Sequence, residues 1–149
     1  MANSIREQIL QAIGNTLAAV ASAHAATYLR SPTAPLTPEQ TPALLLLPES
    51  DTIENRTEER VQRKLTISIV AVARQAGTTG QPADQAADTL LVAAHAALFP
   101  KPPLSTLWSR IDPADTDWHS ESMNVSASWQ PARYVITYLT KRHDIATKG

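Results

Sequence analysis

Residues 58–74 read EERVQRKLTISIVAVAR and show the clearest two-residue alternation in the chain. Apolar side chains recur on one side of this stretch, at Val61, Leu65, Ile67, Ile69, Ala71 and Ala73. Polar side chains occupy the other side, at Gln62, Lys64, Thr66, Ser68 and Arg74. Successive side chains of a strand point to opposite faces, so the pattern predicts a long β-strand with one core face and one solvent or interface face. Val70 and Val72 make its second half apolar on both sides.

Further strands are predicted on either side of this one. Residues 43–47 (ALLLL), which precede a proline, favour a strand buried on both faces, with a helix as the alternative. Residues 50–57 are expected to be a polar connection. Downstream, residues 104–111, 125–129 and 133–140 are predicted strands, the last with Tyr134, Ile136 and Tyr138 on one face. Residues 112–117 (DPADTD) have the composition of a turn.

Two amphipathic helices are predicted to cover this sheet. Ser4 and Glu7 form a capping-box pattern, and apolar spacing then continues to a helix end near Tyr28, through Ile5, Ile9, Ile13, Leu17, Val20 and His24. Pro82 opens the second helix at its first position, with an inner stripe at Ala86, Leu90, Ala93 or Ala94, Ala97 and Leu98. The chain is therefore predicted to be a single α+β domain over residues 1–149, with a mixed, mainly antiparallel sheet of about four to five strands packed against two main helices.

The segment 31–42 contains four prolines. Proline lacks an amide donor and fixes its own backbone, so this density excludes a helix or a central strand. The segment is predicted to be a surface loop that proteases cut first, between Tyr28 and Gln40.

Composition excludes several classes of function. Thirteen basic and fourteen acidic side chains give a formal charge of -1, which disfavours general binding to nucleic acid or to membrane surfaces. The chain has no cysteine and only four glycines, so it has no thiolate site and no glycine-rich phosphate loop. Its apolar runs are far shorter than a membrane span. Residues before Ala23-His24-Ala25 favour an amphipathic helix over a secretory signal.

The sequence shows no pattern typical of catalysis. Histidines 24, 95, 119 and 143 have no metal-binding spacing, and Asp112, Asp115 and Asp117 lack the glycine and glutamate of a calcium loop. No nucleophile elbow is present, although a Ser-His-Asp triad assembled in space stays open. We expect no enzymatic activity, no cofactor and no metal.

The densest polar feature runs from residue 54 to residue 64, where the sign of the charge changes repeatedly. Its charged members are Glu54, Arg56, Glu58, Glu59, Arg60, Arg63 and Lys64. One interpretation is a solvated loop that leads into a strand. The other is a subunit interface that is complementary to itself, because mixed and nearly cancelling charges favour oriented contact between like subunits. Trp108, Trp118 and Trp129 are expected to pack in the core, with an interface anchor as the alternative.

The predicted order of elements, taken with several short segments, resembles the bacteriophage tail terminator family of the minor tail protein U type. The segments are residues 4–10 (SIREQIL), 47–51 (LPESD), 65–69 (LTISI), 86–91 (AADTLL) and 134–140 (YVITYLT). The resemblance covers nearly the whole chain. The match is to element order and length, since the family has no catalytic signature.

This resemblance implies a structural protein of a phage or prophage that forms a hexameric ring on the end of the tail tube. Such a ring stops tube polymerisation and provides the surface for head-tail joining. The implied partners are further copies of the chain, the tail-tube protein and the head-tail connector protein. The implied location is the head-proximal end of the virion tail, and the host cytoplasm during assembly. The alternatives are another neck or tail-completion protein, or a small cytoplasmic enzyme.

Overall fold

Two helices and seven strands are present in the residues that the computed structural model describes, which are 3–34, 36–74, 80–100, 105–116, 119–121 and 124–149. The helices are α1 (Ile5–Ala23) and α2 (Ala83–Leu98), with a short 3-10 helix at Pro38–Gln40. The strands are β1 (Thr27–Arg30), β2 (Ala43–Arg56), β3 (Arg60–Arg74), β4 (Arg110–Thr116), β5 (His119–Glu121), β6 (Asn124–Lys141) and β7 (Asp144–Lys148).

The strands form one mixed sheet in the order β1-β2-β3-β6-β4. β1 is parallel to β2, and the other pairs are antiparallel. β5 and β7 also pair with β6. The prediction of a single α+β domain with a mixed, mainly antiparallel sheet and two main helices is confirmed.

β3 lies at the centre of the sheet and has the two faces that its alternation predicts. Leu65, Ile67 and Ile69 are at most 1% exposed and belong to the main core, together with residues of both helices. Val70 and Val72 point to the opposite face, where they form a second apolar cluster with Ala43 and Leu45. The helices therefore cover one face of the sheet, and the second cluster supports part of the other face.

β2 and β6 are longer than the sequence predicted. β2 does not end at Leu47 but continues through Pro48 to Arg56, so the expected connection 50–57 is almost entirely strand. Register shifts after Pro48 and after Ile53 accommodate the irregular stretch, since a bulge tolerates a residue that cannot donate to the ladder. The predicted strands 125–129 and 133–140 are parts of the single strand β6.

The predicted strand at 104–111 was placed too early. β4 begins at Arg110 and continues to Thr116, so most of the expected aspartate turn is strand. A register shift between Pro113 and Asp115 accommodates the proline, and β4 is the last strand of the sheet order, where proline and charge are tolerated. Leu104, Asp117 and Trp118 lie outside the described residues.

Helix α1 begins as predicted and ends earlier. The Ser4 Oγ accepts a hydrogen bond from the Glu7 amide at 3.0 Å, and Ile9, Ile13 and Leu17 are fully buried. The helix ends at Ala23, so His24 is exposed and Tyr28 lies in β1 instead of at a frayed helix end. Tyr28 and Arg30 pair with β2. The segment that we expect proteases to cut first therefore begins after Arg30 instead of at Tyr28.

The end of α1 holds an alanine in the left-handed region. Ala25 has a φ of 53°, and the Ala26 amide donates to the Ala21 carbonyl at 2.7 Å, which is the closing bond of a Schellman motif. A side chain at this φ costs about 1–2 kcal/mol.

We expect Ala25→Gly to stabilise the protein by about 1 kcal/mol, measured by urea unfolding. Ala23→Gly, in the last helical turn, is the control and should lower the free energy of unfolding by about 0.5–1 kcal/mol. Equal effects of the two changes would show that the backbone at Ala25 is not strained.

The buried face of helix α2 differs by one residue from several of the positions predicted for its inner stripe. Its buried residues are Ala83, Ala87, Leu90, Leu91, Ala94 and Leu98, and Pro82 stands at the N-cap instead of the first helical position. Ala86, Ala93 and Ala97 are only partly buried. Neighbouring alanines are chemically identical, so the sequence did not distinguish the inner from the flanking positions.

The tryptophans that the structure describes pack against apolar clusters. Trp108 is buried in the main core, as expected, and Trp129 is half-buried against the second cluster. None of the described helices is long and apolar enough to cross a membrane.

An ion pair joins the first turn of α1 to β1. Arg30 donates to both carboxylate oxygens of Glu7, at 2.5 and 2.7 Å, and this contact lowers the pKa of Glu7 below its ordinary 4.5. A lowered folded-state pKa stabilises the fold above the unfolded pKa, and that stabilisation is lost as the pH falls through the folded pKa.

Glu7→Gln should therefore lower the free energy of unfolding by about 0.5–1 kcal/mol at neutral pH, a value discounted for the partial exposure of both side chains. The difference from wild type should disappear in acid, which urea unfolding across pH 2 to 7 would measure, with pH limits chosen to bracket the ordinary pKa. Glu39→Gln, at an exposed carboxylate outside the pair, is the control. A difference between Glu7→Gln and wild type that persists at the acid end would contradict the assignment.

Candidate functional site

The seven charged residues predicted as a subunit interface lie at one end of the sheet. They occupy the end of β2, the turn at residues 57–59 and the start of β3. This segment is not a loop that leads into a strand, because most of it is paired strand. The structure brings all seven to the same end but gives them different surroundings.

Three of the seven have partners within the subunit. Lys64 Nζ lies 2.8 Å from the Glu54 carboxylate, which also accepts a hydrogen bond from Gln62, and both contacts lower the pKa of Glu54. Arg63 Nε donates to Thr140 Oγ1 at 3.3 Å, and Arg63 Nη1 lies 4.0 Å from Asp51. Glu54, Arg63 and Lys64 therefore act within the sheet.

The other four form a group of exposed charges with both signs. Arg56, Glu58, Glu59 and Arg60 are exposed. Their side chains make no ion pair within 4.0 Å and no side-chain hydrogen bond to any described residue. The backbone holds their positions, since the Thr57 amide donates to the Arg60 carbonyl at 2.8 Å. These four charges are available to a partner.

A second turn lies beside the first. β7 folds back on β6 through residues 142–143, and the Arg142 amide donates to the Glu59 carbonyl at 2.8 Å. His143 therefore lies in a turn between strands. We call residues 56–60 together with 141–144 the two-turn end. A cleft of about 450 Å³ lies between the turns.

Charges of both signs are present in both turns of the two-turn end. The second turn adds Lys141, Arg142 and Asp144 to the four charges of the first. Asp144 accepts hydrogen bonds from the Ala146 amide and the Thr147 hydroxyl, and these lower its pKa. This second turn was not predicted from the sequence. The signal that marks it is the short Ile145-Ala146 pair after a polar turn, which is too brief to reveal a strand by alternation.

A polar cluster centred on Asp51 lies behind the two-turn end. The Asp51 side chain is 7% exposed, and its Oδ2 accepts hydrogen bonds from Arg6 at 3.1 Å and from the Tyr138 hydroxyl. Burial, together with Asp51, raises the pKa of Tyr138. These contacts connect the first turn of α1 with β2 and β6, so they fix the strands that carry the exposed charges.

The face of the sheet opposite the helices carries another ion-pair network. Arg133 on β6 lies 2.6 Å from Asp115 and 3.4 Å from Glu49. Ser68, which pairs with Arg133, is small and buried, so the guanidinium reaches across β3 to β2. Beside it lies an apolar cleft of about 480 Å³, whose lining includes Leu47, Trp129 and Pro131.

The histidines whose side chains the structure describes, His24, His95 and His143, lie on different elements. His95 Nδ1 lies 2.9 Å from the Tyr134 hydroxyl, and its ring packs 4.7 Å from that of Phe99. His24 and His143 lie on exposed turns. Within the described ranges, no group of three or more His, Asp or Glu side chains is placed to hold a metal ion.

Comparison with protein-family models finds no match for this chain, and comparison with curated proteins finds none either.

Proposed function

We propose that this chain is a structural subunit that forms a ring on the end of a phage tail tube, as a tail terminator. One structural observation supports this most directly: the first turn of the two-turn end presents four exposed charges of both signs, at Arg56, Glu58, Glu59 and Arg60, that make no ion pair and no side-chain hydrogen bond to the described residues. The resemblance of residues 4–10, 65–69 and 134–140 to the tail terminator family gives the proposal its specific form.

The charge pattern favours another copy of the chain as the partner. A polyanion would need a surface of one sign, whereas Arg56 and Arg60 flank the two carboxylates of Glu58 and Glu59. One part of this surface on a subunit can pair with a different part of the same surface on its neighbour, and such an offset brings opposite charges together. Head-to-tail pairing that closes on itself produces a ring.

The ring explains how growth of a tube would stop. A tube of stacked rings grows because each ring offers the surface that the last one used. A terminator must bind that surface on one side and offer no copy of it on the other. In this proposal the tail-tube protein binds one side of a hexamer and the head-tail connector binds the other, at the head-proximal end of the tail. A different neck or tail-completion protein would use the same ring with other neighbours.

The proposal is tested by purifying the protein and following its mass with concentration. Native mass spectrometry and negative-stain microscopy should show a monomer converting to closed six-membered rings. Addition of tail tubes from a phage encoding the protein should give tubes capped at one end. A protein that stays monomeric at high concentration and leaves the tubes uncapped would overturn the proposal.

A further inference from the structure

Two isoleucines are exposed at the end of the sheet that carries the exposed charges. Four large apolar side chains of the described residues are exposed, namely Ile53, Val92, Phe99 and Ile145. Val92 lies on α2, and the Phe99 ring packs against that of His95. Ile53 near the end of β2 and Ile145 on β7 are each 50% exposed. Each of these two residues therefore offers half of an apolar side chain to a partner.

The two isoleucines lie on the same face of the sheet, on either side of Arg63. Ile53 is the cross-strand partner of Arg63 on β3, and directly opposite residues share a face. Ile145 and Arg63 line one small hollow together with Arg6 and Asp51. β7 pairs with β6, on the side of β3 away from β2. We call Ile53, Arg63, Arg6 and Ile145 the isoleucine patch.

The patch has the composition of the centre of a subunit interface. Exposed ion pairs contribute little free energy, and complementary charges mainly set the orientation and the rate of association. Stable interfaces have an apolar centre, commonly with arginine, inside a polar rim. The exposed charges of the first turn would form such a rim but contain no apolar side chain, and the isoleucine patch lies next to them.

We propose that the isoleucine patch is the apolar centre of the contact between two copies of this chain, with the exposed charges of the first turn as its rim. The patch is continuous with those charges, since Arg56 follows Ile53 by three residues on β2. A second copy is the occupant because the mixed signs of the rim match another copy of the same surface. This inference rests on the proposed ring, because it names the apolar part of the same contact.

Threonine substitutions test the patch, because threonine keeps the β-branched shape and replaces an apolar arm with a hydroxyl. Ile53→Thr with Ile145→Thr should leave the circular dichroism spectrum unchanged. The association constant should fall by about tenfold or more, as expected when a central apolar contact is lost. Val92→Thr makes a similar change at an exposed position on α2 and should leave association unchanged. Sedimentation equilibrium measures the association constants.

Methyl NMR measures the burial of the patch directly. A soluble gadolinium complex should relax the δ1-methyl signals of Ile53 and Ile145 in dilute monomer, and this relaxation should be lost in the assembled protein. The Val92 methyl signals should be relaxed in both states. Isoleucine signals that stay relaxed after assembly would overturn the inference.

The results for the patch and for the ring are distinguishable. Wild-type association in the double threonine variant would overturn the patch and leave the proposed ring standing. Rings of this variant that no longer cap tail tubes would assign the patch to the tail-tube protein and would also overturn the inference. Assemblies of the wild type that are not closed rings, and that the double variant weakens, would support the patch and overturn the tail terminator proposal. A wild-type protein that stays monomeric would overturn both.

Discussion

Reversal of both exposed arginines of the two-turn end, Arg56→Glu with Arg60→Glu, is expected to leave the subunit folded and to abolish ring formation. Neither guanidinium has an ion pair within the described subunit, and exposed pairs contribute only about 0.2–1 kcal/mol each to folding. In the proposed ring, the new carboxylates face Glu58 or Glu59 of the neighbouring subunit. The repulsion recurs at every interface between subunits. The total destabilisation of the closed ring therefore grows with the number of interfaces.

The measurements are circular dichroism, native mass and the phage tails themselves. We expect a wild-type spectrum, no ring at any concentration tested, and tails that exceed their set length or fail to join heads. The matched control adds Glu58→Arg and Glu59→Arg to the double reversal, which exchanges all four signs and restores complementarity between identical subunits. This fourfold variant should form rings again.

Normal rings from the double reversal would contradict the assignment of the interface. The two-turn end would then be a solvated surface. The subunit contact would have to lie elsewhere, and the cleft beside Trp129 and Arg133 on the open sheet face would be the next region to mutate.

Truncation of Ile67 to alanine should lower the free energy of unfolding by about 2–5 kcal/mol through lost burial and a residual cavity. Ile67 is fully buried, and it pairs with Tyr134 on β6 and Pro48 on β2 beneath the helices. Ile67→Asp should leave no folded protein, because an unpaired charge would be buried there.

Urea unfolding measures the Ile67→Ala effect, with an unchanged dependence on urea as the sign of an intact two-state transition. Val92→Ala on α2 is the matched control, since Val92 is 63% exposed and the change should stay within about 0.5 kcal/mol. Equal stability of Ile67→Ala and wild type would show that this face of β3 is not the core.

The fold was predictable where burial produces a pattern in the side chains. β3 shows it most fully, because Leu65, Ile67 and Ile69 face the main core on every second residue. β2 beyond Pro48 shows none, since its residues from Glu49 to Arg56 are mostly exposed and backbone pairing with β3 holds them. Strands maintained by backbone pairing alone carry no hydrophobic period, so nothing in their sequence predicts them.

The seven charged residues of the candidate site were predictable as a group. Which of them have partners inside the subunit and which are exposed without partners was not. The repeated change of sign from Glu54 to Lys64 is visible in the sequence. Which charges are used within the subunit depends on Asp51 and Thr140, which the fold brings close, and on the neighbouring turn around Arg142. These are tertiary contacts that spacing along the chain does not contain.

The pairing of β3 with β6 also has a consequence for the order in which the chain folds. All 15 residues of β3 pair with β6, although the two strands come from different halves of the sequence. Contacts between distant segments form late, because closing the long intervening loop costs entropy before any contact compensates for it. During synthesis, β3 can pair only with β2 until β6 begins to leave the ribosome, since the start of β6 pairs with the end of β3. The nascent subunit therefore exposes one edge of its central strand for most of translation, and that edge is where early misassembly would begin.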